Sequence, residues 1–196
     1  MIAVFNSSPL IFLSKLNVLD QSLQLFSKVT IPSYVQKEIS KKEDIASENL
    51  NALIKSNNVV IVKAKNLRML EALCRKLGRG ESEAIVVAIE SLADLVVLDD
   101  HVARLEAARM GLSVKGTLGI IRRLMDLDII QYKLEDLYRD LSEIKFRVKR
   151  GIFDEIFMSQ DIINFEDFKW NAIKPGLQYS IALVYNRFIQ HQASSI

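Results

Sequence analysis

The chain has 196 residues, 49% of them hydrophobic, with 26 Lys and Arg against 24 Asp and Glu. That is enough for one domain, or one domain with an extension, to bury a core without disulfides or a structural metal, and it excludes a disordered chain. The net charge of +2 is too mild for binding by bulk positive charge, and the single cysteine, Cys74, excludes a disulfide framework and a cysteine zinc site.

Ile2 to Phe5 reads as a short buried strand, followed by a helix from Pro9 with Leu10, Leu13 and Leu16 on one face. Val29 to Ile31 is a second strand, running into Pro32 as the first residue of a helix that reaches about Lys41 and buries Val35 and Ile39. Residues 43 to 56 read as a polar helix, Val59 to Val62 as a third strand, and Leu67 to Leu77 as a helix stopped by Gly78. The next helix opens at Gly80-Glu81, with Ala84, Ile85, Ala88 and Ile89 as its stripe, and leads into the strand Leu95 to Leu98. Asp99-Asp100 close that strand. A helix carrying Val102, Leu105 and Ala108 then runs to Gly111, a last strand spans about Leu112 to Lys115, and Gly116-Thr117 starts another helix.

Strands alternating with helices imply an α/β fold with a parallel sheet of four to five strands and right-handed crossovers. After about Gln160 the pattern changes to Phe165, Phe168 and Trp170, a break at Pro175-Gly176, and a stripe of Leu177, Ile181, Val184 and Phe188. The expectation is a domain over residues 1–160 and a helical C-terminal extension over 161–196, packed on the domain or on a partner. Apolar runs are too short to span a membrane, and the amino terminus lacks a signal-peptide pattern, so a cytoplasmic location is expected.

Ligands of open parallel sheets bind at the carboxyl ends of the strands. Chain direction brings Asn6, Asp99 and Asp100 to that edge. Glu38 lies about six residues, roughly 9 Å, along a helix that starts there. Glu81 opens a helix that runs antiparallel to the fourth strand, so its amino terminus also lies at this edge. Carboxylates gathered without Cys or paired His form a hard-oxygen site, suited to magnesium or manganese. Two such ions activate water and stabilise a leaving oxygen in phosphodiester hydrolysis, so metal-dependent nuclease chemistry is the natural reading.

Five segments, in order and spacing, resemble a PIN domain: Asn6-Ser7-Ser8-Pro9-Leu10-Ile11; Ile31-Pro32 with Val35 and Glu38; Gly78-Arg79-Gly80-Glu81-Ser82-Glu83-Ala84-Ile85; Val97-Leu98-Asp99-Asp100; and Gly116-Thr117-Leu118-Gly119. The likeness is to a prokaryotic branch related to the VapC-type toxin ribonucleases and covers about residues 1 to 160, including Phe146-Arg147-Val148. It implies a three-layer α/β/α fold and a magnesium- or manganese-dependent endoribonuclease acting on RNA. By position, Glu38, Glu81 and Asp99 match the family's metal-site acids, Ser7 or Ser8 its small hydroxyl residue, and Glu83 and Asp100 auxiliary acids. A toxin of this kind also implies a small antitoxin that masks the site, and a homodimer.

Asn6 stands where the family's first metal-site Asp is found. An amide can ligate through its carbonyl but brings no charge and cannot act as a base. The alternative is therefore a catalytically weakened or inactive PIN-fold RNA-binding or regulatory protein. Several residues carry plainer readings as well. Glu81 suits a helical first turn, Asp99 and Asp100 can divide between the site and a helix cap, and Asn6 can hold its own loop. His101 reads as an exposed first-turn residue, and Cys74 as packed or inert. Arg75, Lys76 and Arg79 are candidate RNA-phosphate contacts, and Lys145, Arg147, Lys149 and Arg150 form a second basic run that reads as a solvated face. A receiver or phosphatase fold needs Asp in place of Asn6, and a dinucleotide fold needs glycines absent from Asn6 to Leu10.

Overall fold

A computed structural model describes residues 1–41, 48, 52 and 59–158. Five strands, β1 (Ile2–Phe5), β2 (Lys28–Pro32), β3 (Val59–Val62), β4 (Leu95–Val97) and β5 (Val114–Lys115), form one sheet in the order β3-β2-β1-β4-β5. Every pairing is parallel, with Ala3 opposite both Val29 and Leu95. The apolar runs of the central strands β1 and β4 follow from burial on both faces, while the edge strands β3 and β5 are only partly buried. Ala3, Phe5, Val29, Ile31, Leu95 and Val97 point into one core, while Val4, Val96 and Leu98 point into the other.

The first core is closed by α1 (Ser7–Lys15), α2 (Leu19–Gln24), α7 (Thr117–Asp126), α8 (Leu134–Glu143) and α9 (Arg150–Met158), with Val35 and Ile39 of α3 (Ser33–Ser40). The second is closed by α4 (Leu67–Cys74), α5 (Arg79–Glu90) and α6 (His101–Arg109). This is the three-layer α/β/α arrangement, and its sheet has the five strands at the upper end of the expected number. Strand order reverses between β1 and β4, so the crevice where a doubly wound sheet binds ligands opens beside Asn6 and Asp99. Among the described residues no helix is long and apolar enough to cross a membrane.

Local corrections have physical causes. Helix α1 begins at Ser7, so Pro9 sits third in it, where its missing N–H would have no intrahelical partner anyway. Pro32 ends β2 and precedes α3 in extended geometry (φ −59°, ψ 146°) instead of opening the helix. Helix α6 buries Ala103 and Ala107, small enough to lie close against the second core, and turns Val102, Leu105 and Ala108 outward. Helices α2, α8 and α9 carry no element in the sequence reading. Arg150 of the second basic run is structural: it bonds Glu135 and Asp154, each at 2.7 Å, and lies 5.0 Å over the Tyr138 ring, tying α9 to α8. The expected helix over 43–56 and the extension over 161–196, with its Leu177 stripe, lie outside the described residues apart from positions 48 and 52.

Candidate metal centre

Asn6 leaves β1 with its backbone N–H bonded to Val97 O (3.1 Å) on β4, and its side chain is 1% exposed. Its Nδ2 donates to Glu81 Oε1 at 3.3 Å, which fixes the way the amide faces. Its Oδ1 is buried and finds no hydrogen-bond partner. An unmet buried acceptor costs roughly 1–3 kcal/mol, so this atom is held at some expense in the absence of a donor or cation.

Gly80, second in α5, shows where that oxygen points. A Cβ built there would lie 3.1 Å from Asn6 Oδ1 and 3.3 Å from Glu38 Oε2, so the two oxygens border one small space that only glycine leaves open. Glu38 reaches it from α3. Glu81, third in α5, folds its carboxylate back over Gly78, where any side chain would collide with it. No Lys or Arg among the described residues pairs with Glu38, Glu81 or Asp99 within ion-pair distance.

Asp99 is held differently. The register Phe5↔Val97 sets Asn6 level with Leu98, so Asp99 emerges one residue farther along the neighbouring strand. Its Oδ1 accepts from Thr117 N and its Oδ2 from Thr117 Oγ1, each at 2.7 Å, which caps the amino terminus of α7. A Cβ at Gly116 would lie 3.1 Å from Asp99 Oδ1 and 3.0 Å from Arg104 Nη1, so glycine again makes the approach possible. Burial pushes the Asp99 carboxyl above its ordinary value, outweighing the opposing effects of the Thr117 bonds and the Arg104 charge. Among the described residues no three His, Cys, Asp or Glu side chains are grouped closely enough to hold an ion as they stand. Asn6 and Glu38 meet beside Gly80, Asn6 Nδ2 links them to Glu81 over Gly78, and Asp99 stands at the adjacent strand end.

A family model described as PIN domain matches residues 2–161. The chain belongs to the PIN-domain family. No curated protein matches it. The family is a nuclease fold whose members use divalent metals, and the donors here fit such an ion: carboxylates, one amide carbonyl without a partner, and no sulfur or imidazole.

The two auxiliary acids, Glu83 and Asp100, are occupied. Asp100 caps its own helix α6, with Oδ1 accepting from Ala103 N at 2.8 Å. Glu83, 4% exposed, accepts from Ser33 Oγ (3.1 Å), Tyr34 N (2.6 Å) and Ala64 N (3.3 Å), tying α3 and the segment after β3 to α5. Ser7 is buried and Ser8 half-buried beside Asn6, and His101 is exposed. Arg75, Lys76 and Arg79 are exposed, with Lys76 3.8 Å from Glu106 and Arg79 stacked at 5.8 Å on Tyr34. Cys74 is a half-buried free thiol. Sequence reasoning missed Thr117 and Arg104 as partners of Asp99. The Gly116-Thr117 helix start was visible, but its pairing with Asp99, 18 residues earlier, needs the fold.

Proposed function

We propose that this PIN domain is a magnesium- or manganese-dependent endoribonuclease whose ion is held by Asn6, Glu38, Glu81 and Asp99. The observation that carries the reading is Asn6 Oδ1, buried without a partner and facing the same space as Glu38 Oε2. When bound, the ion supplies Lewis-acid neutralisation of charge developing on a phosphodiester. Glu38 and Glu81 supply the negative charge that draws it in, and Asn6 keeps its carbonyl aimed by donating from Nδ2 to Glu81. Thr117 orients Asp99 through two hydrogen bonds, and Asp99 would be the fourth residue to hold the ion. Arg75, Lys76 and Arg79, all exposed, are the cations that would meet RNA phosphates in this reading.

In the same reading the catalytic domain spans residues 1–160, with 161–196 packed on it or on a partner. The likeness to toxin ribonucleases extends it to a cytoplasmic homodimer whose site a small antitoxin masks. A second reading, an RNA-binding PIN domain without catalysis, is favoured by the uncharged Asn6 and by the tethering of Asp99 to α7.

Cleavage of labelled RNA in manganese separates them, comparing wild type with Asp99→Ala, Glu81→Ala and Asn6→Asp. Nuclease function requires manganese-dependent cleavage that is lost in the first two and rises in the third. Wild type that binds RNA but cuts only as Asn6→Asp supports the second reading. Cleavage that ignores manganese or these substitutions refutes the site.

A further inference from the structure

Tyr34 stands one helical turn before Glu38 on α3, so the two share a face. Its backbone N–H is locked by Glu83 Oε2 at 2.6 Å, yet its side chain lies open, with 40% of the residue exposed. The first residue of α5, Arg79, lays its guanidinium 5.8 Å over the Tyr34 ring. The next residue is Gly80, above which Asn6 and Glu38 present their oxygens. An exposed aromatic ring and a planar cation thus sit side by side on the rim of the acid pocket, anchored by the two helices that build it.

Resting on the ribonuclease reading, we propose that Tyr34 and Arg79 form a base-stacking subsite for an unpaired nucleotide next to the phosphate that enters the pocket. An exposed ring beside a phosphodiester site would otherwise be an apolar surface facing a charged strand. Stacking is the interaction such a ring offers to every base, and a guanidinium plane offers it too. In the free protein Arg79 occupies the ring face that a base would take. On binding, the base lies on Tyr34 and the guanidinium moves off to the neighbouring phosphate, exchanging a cation–π contact for a charged one. Bases inside a duplex already stack on one another and cannot reach the ring, so the subsite selects unpaired RNA.

The test measures binding of labelled single-stranded and duplex RNA in EDTA, which prevents cleavage, and steady-state cleavage in manganese, for wild type, Tyr34→Phe, Tyr34→Ala and Arg79→Ala. Thermal unfolding of each variant establishes that it folds. Tyr34→Ala is expected to weaken single-strand binding roughly ten- to hundredfold, the loss of one base–aromatic stack, and to raise KM more than it lowers kcat. Tyr34→Phe should stay within about twofold of wild type on that measure, since it keeps the ring. Duplex binding should be the same for all Tyr34 variants. Single-strand binding unchanged in a folded Tyr34→Ala, or lost equally for both RNAs, overturns the subsite while leaving the nuclease standing if wild type still cleaves. Wild type that neither binds nor cleaves any RNA overturns the subsite and the ribonuclease reading together.

Discussion

Replacing Asn6 by Asp tests the pocket most directly, because it adds one charge and almost no volume. The new carboxylate would stand about where Asn6 Nδ2 now donates to Glu81 Oε1, at 3.3 Å. Two unit charges at that separation repel by about 5 kcal/mol at an effective dielectric near 20. Sharing a proton limits the penalty, because lifting one carboxyl from its usual range to neutrality costs about 1.4 kcal/mol per pH unit, or roughly 4 kcal/mol in all. The lost hydrogen bond to Glu81 adds on the order of 1 kcal/mol. Metal-free Asn6→Asp should therefore be less stable by ~3–5 kcal/mol, which for a chain of this size lowers Tm by ~6–20 °C. Manganese should close most of that gap, since a cation among the oxygens turns repulsion into ligation. Paired thermal melts of both proteins in EDTA and in manganese give the answer. A variant that melts with wild type in EDTA, or a gap that manganese leaves unchanged, would show that these side chains do not share a cation site.

Gly80→Ala fills the space bordered by Asn6 Oδ1 and Glu38 Oε2. It should leave stability within about 1 kcal/mol by circular-dichroism melts, because alanine favours the helix, while manganese-induced stabilisation and cleavage disappear. Asp99 has a folded-state carboxyl pKa above its unfolded value, so its stabilising contribution is complete below the unfolded value and is lost as pH rises through the folded one. Asp99→Asn should therefore melt at or above wild type in EDTA at neutral pH, lack that pH slope, and no longer respond to manganese; a lower melting point than wild type in EDTA would contradict the burial argument. Glu83→Ala strands Ser33 Oγ, Tyr34 N and Ala64 N. Only the Ala64 N bond is fully buried, so at roughly 1–3 kcal/mol for that donor and less for the two part-buried ones, denaturant unfolding should show a loss of ~2–4 kcal/mol, and a loss under ~1 kcal/mol would mean that water replaces the carboxylate freely.

The sheet was legible because most of its strands are short apolar runs, and burial on both faces leaves no other use for Leu95 to Val97, while Val59 to Val62 keeps its β-branched run on a partly buried edge. Helix α6 misled for a specific reason. Val102, Leu105 and Ala108 repeat at helical spacing, but the close approach of α6 to the second core needs the smaller Ala103 and Ala107 inward. Periodicity measures hydrophobicity, whereas the fit between layers is decided by volume. Helices α8 and α9 were legible in principle, since Leu137 and Leu141, and Phe153 and Phe157, stand four apart and are buried in the first core, while Arg150, Glu135 and Tyr138 fasten the two helices together at the surface. The convergence of Asn6, Glu38 and Glu81 followed from chain direction alone. The tethering of Asp99 did not, since a hydrogen bond to Thr117 depends on how β5 feeds α7.

How each carboxylate is used separates structure from function more sharply than its position does. Asp94 accepts from Ile2 N, Glu90 from Lys65 N and Asn66 N, Asp100 from Ala103 N, and Glu83 from Tyr34 N and Ala64 N. Each satisfies backbone donors that would otherwise be stranded, so the fold itself accounts for it. Asp99 does the same for Thr117 N, but at the cost of a desolvated charge. Glu38 and Glu81 accept from no backbone N–H among the described residues, and Asn6 Oδ1 accepts from nothing. Folding alone has little use for the Glu38 carboxylate and a buried carbonyl directed at the same glycine, Gly80. Apolar or small residues there would serve stability better. Asn6 Oδ1 and Glu38 Oε2 face one space beside Gly80, Asn6 Nδ2 joins Glu81 to them, and under the proposed function a hard cation is the partner this group shares.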